Sequence, residues 1–472
     1  MSRDGFRVES DSVVGDVRIP DDALYGPQTQ TALDNFDVSD VRFGREFVRA
    51  LGRVKRACAD ANVALGRLDE ERGEAIRTAA GEVARGDHDD AFPLSVYQLG
   101  SGTNTNMNAN EVIANRAAEL LDAERGSRVV HPNDHVNMGQ SSNDVIPTTI
   151  HVAALTAVEE RLLPTLDALA ETLDEKATEF DDVVKLGRTH LQDATPIRLG
   201  QEFSGYASQI AHGIDRVEAV RESLSELAIG GTAVGTGLNT LPEFPGEVVE
   251  RLNEATGLQF REAPNHFEAQ AARDAVVEAS GALKTVAVSL MKIANDLRWL
   301  SCGPRAGFDE IDVPTVQPAG SSIMPGKMNP VVLEITCQAA AQVVGNDATI
   351  TVGGQSGNFE INVMKPVMAT NLLQSVRLLT ETCTLLAEKC VSGIEANEDV
   401  CERYAESSLS LVTALAPHIG YDAASDVAEQ ALREERTIEQ VALDRGVLTE
   451  AELDRVLDPR RMTDRGVPGP GE

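Results

Sequence analysis

Apolar residues recur at three- and four-residue spacing from Val276 through Ala279, Leu283, Val286, Leu290, Ile293 and Leu297 to Leu300. That period puts all of them on one stripe of an α-helix, so the segment predicts a long helix with a coiled-coil-like seam. Phe203, Tyr206, Ile210, Val217, Val220 and Leu224 predict a second helix, and Leu162, Leu166, Leu169, Leu173 and Phe180 a third that Pro164 kinks. Residues 331–350 and 362–392 supply two more. Helices this long carry more apolar surface than one chain covers, which predicts a bundle continued across subunits; the alternative is a large monomeric bundle.

The flanking pattern is shorter. Toward the N-terminus, β-like pieces at Phe6 to Glu9 and Val14 to Ile19 precede helical periodicity at Arg45 to Leu65 and Glu70 to Arg85. Beyond residue 397, helices are predicted at Ala423 to Arg433, Ile438 to Arg445 and Glu450 to Val456, followed by a Gly/Pro tail from Gly466 expected to fray. The chain therefore divides into residues 1–140, mixed but mostly helical and carrying part of the site; 141–396, the central long-helix bundle; and 397–472, a small helical domain.

At 472 residues the chain exceeds what one hydrophobic core usually serves, in keeping with that division. Its 42 basic and 75 acidic residues leave a net charge of −33, which argues against nucleic acid or an anionic membrane as partner. The acidic excess is spread along the chain with few lysines, as on a surface suited to high salt. Six cysteines without Cys-x-x-Cys spacing suggest neither a disulfide framework nor a zinc ribbon, but small core residues in a reducing cytoplasm. No run of about 18 apolar residues is present, so membrane spanning is not expected, and the start of the chain does not read as a secretion signal.

Against that acidic background, residues 320–330 (Gly-Ser-Ser-Ile-Met-Pro-Gly-Lys-Met-Asn-Pro) stand out as polar, flexible and cationic. Ser321 and Ser322 sit in a loop that Pro325 and Gly326 allow to bend, with Lys327 and Asn329 offering a charge and an amide. The segment is a near miss for a phosphate loop, since Gly320 stands one residue too far from Gly326-Lys327 and Met328 replaces the metal-binding hydroxyl. Three further patches, 100–106, 140–144 and 187–192, offer hydroxyls and amides and are read as lying at helix starts, where unpaired N–H groups attract anions. Each alone reads as a helix cap; together with the loop they point to a small dicarboxylate.

Of eight histidines, His190 lies in a polar run with little apolar cover and is the candidate acid/base, with Glu334 its candidate orienting carboxylate. His131 and His135 are four apart, but Pro132, Asn133 and Asp134 between them argue for a loop, and no third ligand stands nearby, so no metal is assigned. With Arg128 they form a possible secondary polar pocket.

The pattern Gly320-Ser321-x-x-Met324-x-x-Lys327-x-Asn329, with Ser101-Gly102-Thr103 and Gly187-Arg188-Thr189-His190, resembles the three signature regions of the aspartase/fumarase superfamily. The likeness runs from about residue 6 to 462 and is nearest to the class II, iron-free fumarases: Gly326, the run 265–269, the run 357–360 and the run 418–422 all look like that branch, while Met328 departs from its commoner Val. The resemblance implies a mainly α, three-domain fold whose long-helix bundle assembles into a tetrameric multi-helix core, with no metal or organic cofactor. It implies Ser321 as the base, and His190 backed by Glu334 as an acid acting through water. It also implies substrate contacts from Ser101, Gly102, Thr103, Ser141, Ser142, Asn143, Thr189, Ser322, Lys327, Met328 and Asn329. Arg128, His131, Pro132, Asn133 and Asp134 match the family's secondary carboxylate site. Each active site would draw its regions from three subunits of a homotetramer acting on fumarate and L-malate. The rivals are aspartate ammonia-lyase, which shares the mechanism, and a catalytically silent helical scaffold.

Overall fold

The structure is a computed structural model that describes residues 5–316 and 320–469; the last three residues of the predicted Gly/Pro tail lie outside the described residues. The chain forms two compact units, one of residues 1–164, 215–287 and 340–380, the other of 165–214, 288–339 and 381–472.

In the first unit an antiparallel hairpin, Phe6–Asp11 with Gly15–Pro20, precedes the Arg45–Ala64 helix. Phe47, Val48, Leu51, Val54 and Cys58 bury one face of that helix, which packs on the helices Glu70–Arg85, Ser142–Ala157 and Phe244–Thr256. The Glu70–Arg85 helix is bounded by its own chemistry. The Asp69 side chain accepts from Arg72 N at the start, acidic Glu70 and Glu71 complement the positive dipole end, and left-handed Gly86 closes the far end.

In the second unit a hairpin, Val184–Thr189 with Gln192–Arg198, carries a bulge between Leu186 and Arg188. At the C-terminus the helices Tyr421–Glu434, Ile438–Asp444 and Glu450–Val456 share a core of Leu411, Leu415, Val427, Ile438, Val441, Leu453 and Val456. Capping boxes at Thr437 and Thr449 start the last two.

The predicted seam is one helix, Asp274–Leu300, and all eight seam residues are buried within a single chain. The second periodic run stops earlier than predicted: the Leu199–Ala219 helix ends before Val220, and Arg221–Leu224 forms a separate turn. Pro164 lies within a continuous helical stretch: Ser142–Ala157, a π-turn at Val158–Leu162 and Leu163–Glu179 follow one another with αR backbone at the joins, so the irregularity falls directly before the proline. Pro147 lies inside Ser142–Ala157. Cys58, Cys383, Cys390 and Cys401 are buried, Cys302 and Cys337 half-buried, and all are free thiols. Among the described residues no helix is long and apolar enough to cross a membrane.

Candidate active site

In the first unit two helices begin side by side. Thr103 opens Thr103–Leu120 and Ser142 opens Ser142–Ala157, and their hydroxyls meet at 2.8 Å. Ser101 adds a third hydroxyl, 2.8 Å from Thr103 Oγ1. Two links among three hydroxyls use two of the three protons, so one O–H remains to donate outward. Ser141 Oγ accepts from Asn143 N, which leaves its proton free as well. Gly102 must be glycine here: its φ is +81°, and a Cβ would lie 2.9 Å from Ile146 Cγ1. Gln98 Oε1 accepts from Thr105 N at 3.0 Å, and with no capping side chain on Gly102 the N–H groups of Thr103 and Asn104 stay open to an anion.

Three buried charged groups fix this wall. Asp144 accepts from the backbone N–H of Ser141, Gly230 and Thr232 at 2.9–3.1 Å, tying the helix start to the 230–232 turn; burial pushes its pKa up to about 6. Lys55 donates to Asn137 Oδ1 and Gln140 Oε1, and burial draws its pKa down to about 8. Lys365 answers a defect. Pro147 has no N–H for the carbonyl four residues back, that of Asn143, and Lys365 Nζ donates to that oxygen at 3.1 Å. Burial, with Arg273 adding to it, draws the Lys365 pKa down to about 7. The Asn143 side-chain amide donates to Ala233 O at 2.7 Å, so it positions the turn as well as facing outward.

In the second unit the 320–330 loop is held by bonds between its own side chains and backbone. Ser321 Oγ accepts from Ile323 N at 3.3 Å and Met324 N at 3.0 Å. Asn329 Nδ2 donates to Gly320 O across the base, and Gly320 admits no side chain because a Cβ would lie 1.8 Å from Lys327 O. Ser322, Lys327 and Met328 are exposed, and Lys327 Nζ has no partner among the described residues. Lys327, Met328, Asn329 and Glu334 line one pocket with Arg298 and Trp299.

The 187–192 run is not a helix start but the tip of the second hairpin, with Thr189 opposite Gln192. His190 and Leu191 form its two-residue turn, both at φ +58°. This left-handed pair normally calls for Asn-Gly, so a histidine held there marks strain placed at an exposed tip. The hairpin is anchored below: Lys185 is buried against Glu202 at 2.9 Å and Glu310 at 3.4 Å, and Arg188 meets Glu310 at 2.7 Å while its guanidinium covers the Phe308 ring at 4.1 Å. Neither the His190 imidazole nor the Glu334 carboxylate has a hydrogen-bond partner among the described residues, so the predicted pair does not form within the chain.

Arg128, His131, Pro132 and Asn133 line a common small pocket with Asp11 and Glu111, while Asp134 stays outside it, 3.4 Å from His131 Nδ1. The stretch predicted as a loop is a π-turn, Pro132–Val136, started by His131 Nδ1 accepting from Asn133 N and Asp134 N. Those bonds place the His131 proton on Nε2 in the neutral ring. Among the described residues no group of three or more His, Cys, Asp or Glu could hold a metal ion.

Asp144, Lys55 and Lys365 were not singled out from sequence. The available signal was a lysine in the apolar run Val363-Met364-Lys365-Pro366-Val367 together with Pro147, just beyond the helix start read at 140–144.

The profile of the Lyase family matches residues 15–345, and that of the Fumarase C C-terminus matches residues 411–464. "Fumarate hydratase class II" of Halobacterium salinarum is 60% identical over 467 residues, covering 99% of each chain. The protein of the same description from Mycobacterium tuberculosis is 54% identical, covering 97% of this chain and 96% of the relative. Among solved structures, the class II fumarase of Schistosoma mansoni superposes with a TM-score of 0.95 at 40% identity, over 97% of this chain and 99% of that one. With the hydroxyl wall, the serine loop and the histidine hairpin present on a matching fold, the chain belongs to the class II fumarate hydratases of the aspartase/fumarase superfamily.

Proposed function

We propose that the protein catalyses the reversible hydration of fumarate to L-malate through an aci-carboxylate intermediate, as a cytoplasmic homotetramer with active sites shared between chains. The observation that carries the chemistry is Ser321 Oγ lying under two backbone N–H groups in a loop that also bears an unpaired lysine. A serine hydroxyl is a poor base unless its alkoxide is stabilised, and these donors supply that stabilisation. In the malate-to-fumarate direction Ser321 takes the C3 proton, and charge builds on the carboxylate beside C3. Lys327, the one free hydroxyl proton of the Ser101–Thr103–Ser142 chain and the backbone N–H groups of Thr103, Asn104 and Ser142 receive that charge. His190, oriented by a Glu334 carboxylate, protonates the departing C2 hydroxide through water. Neither side chain has a partner among the described residues, which supports a site completed by other subunits.

The tetramer reading is also supported by the Val331–Gly354 helix. It exposes Ile335, Ala341, Val344, Gly345, Ala348 and Val352, an uncharged stripe on a protein of net charge −33. Such a stripe is suited to a second helix and not to water.

The test is ultraviolet absorbance of the conjugated double bond, with purified protein in concentrated potassium chloride given L-malate in one cuvette and L-aspartate in another. A rise with malate alone is expected. A rise with aspartate alone would move the chain to ammonia-lyase chemistry, and silence in both would contradict the enzyme reading.

A further inference from the structure

The outer face of the Arg45–Ala64 helix carries Arg45, Arg49, Arg53 and Arg56, and with Arg85 and Arg251 from neighbouring helices they line one open cleft of about 1060 Å³. Six guanidiniums face three carboxylates there, on a chain whose overall charge is −33. Some of that charge is answered locally: Arg49 pairs with Glu160 at 3.0 Å, Arg85 with Asp87 at 2.9 Å, Arg251 with Glu247, and Arg45 lies 3.4 Å from Asp89. Asp60 is already taken by Arg77.

The remainder is only partly answered: Glu254 lines the cleft, and Asp60 attracts Arg56 and Arg251 without pairing with either. Arg53 and Arg56 have no ion-paired or hydrogen-bonded partner among the described residues, and Arg45 Nη1 is buried without an acceptor. A methyl group on Gly81 would stand 3.5 Å from Arg85 Nη1 and 3.8 Å from Arg56 Nη1, so these two cations approach the same point from two helices. Arg53 has its pKa lowered by burial and by the nearby charges of Arg49 and Arg45, with Glu160 opposing them. Like charges so crowded repel unless a counter-charge sits among them.

We propose that this cleft binds a linear polyphosphate anion, apart from the catalytic residues. Guanidinium forks match phosphate oxygens two at a time, and a helix rise of 1.5 Å per residue spreads Arg45 to Arg56 over about 16 Å, longer than a single phosphate. No aromatic side chain lines the cleft, so it offers no platform on which a nucleobase could stack. The same helix turns Lys55 inward to Asn137 and Gln140, beside the Ser141–Asn143 wall, so an occupant of the cleft sits on the back of an element that supports the site.

The test is isothermal titration of the intact enzyme with inorganic triphosphate and a longer-chain polyphosphate, at the lowest potassium chloride concentration that preserves malate turnover. Orthophosphate, an acidic oligopeptide and the Arg53→Gln/Arg56→Gln and Arg436→Gln variants serve as controls. Saturable binding of one polyphosphate per chain is expected, weakened by about tenfold or more in the double variant and unchanged in Arg436→Gln. Malate turnover of the double variant should match wild type, which shows it is folded. Absence of saturable binding, equal affinity in the double variant, or tighter binding of the acidic oligopeptide would each overturn the assignment.

Discussion

The hydroxyl wall of the first unit and the serine loop of the second solve opposite problems. In the wall, Ser101, Thr103 and Ser142 are bonded to one another, and Asp144, Lys55 and Lys365 are buried behind them to fix the backbone. In the loop, short side-chain-to-backbone bonds from Ser321 and Asn329 hold the shape, and Lys327 is exposed and has no partner among the described residues. Under the proposed mechanism the wall binds and the loop keeps its reactive groups uncommitted until substrate and neighbouring chains supply partners. On that reading, substitutions in the two regions should separate KM from kcat.

The sharpest separation is expected at Ser321. Ser321→Ala should lower kcat on the order of a thousandfold with little change in KM, measured by malate turnover; near-normal turnover would show that the loop is not the reaction centre. Thr103→Val should do the reverse. It breaks both links of the hydroxyl chain, so KM for malate should rise about tenfold while kcat changes less. A fall confined to kcat would erase the distinction.

The smallest effect concerns what fixes the wall. Burial lowers the folded-state pKa of Lys365 from 10.5 to about 7. Between those values the unfolded chain binds a proton that the folded one does not, so stability rises with pH across that window and falls as pH drops through about 7. Relative to Lys365→Met, wild type should therefore gain about a few degrees in Tm between pH 7 and 10. A constant gap between the two melting curves would mean that folded Lys365 keeps its proton across that range, as the unfolded chain does.

These regions were unequally legible in the sequence. The loop, the hydroxyls and the long helices could be read directly, since period and composition are local properties. The seam from Val276 to Leu300 formed one helix as its spacing demanded. What sequence missed depends on contacts distant along the chain. Lys365 reaches an oxygen 222 residues away that is orphaned only because of Pro147. The Gly-Arg-Thr-His run was misread as a helix start because its hairpin is held by Glu310, 122 residues from Arg188. The burial of Asp144 by the 230–232 turn likewise has no signature in its own segment.

The central claim, that fumarate is hydrated in sites completed between chains, is tested most directly by complementation. Ser321→Ala and His190→Asn chains, each inactive alone, are unfolded, mixed in equal amounts, refolded together and assayed with malate. If the two residues reach one site from different subunits, random assembly restores about a quarter of the sites and activity returns. No recovery, with refolded wild type active, would place both residues in a site built by one chain and contradict the account.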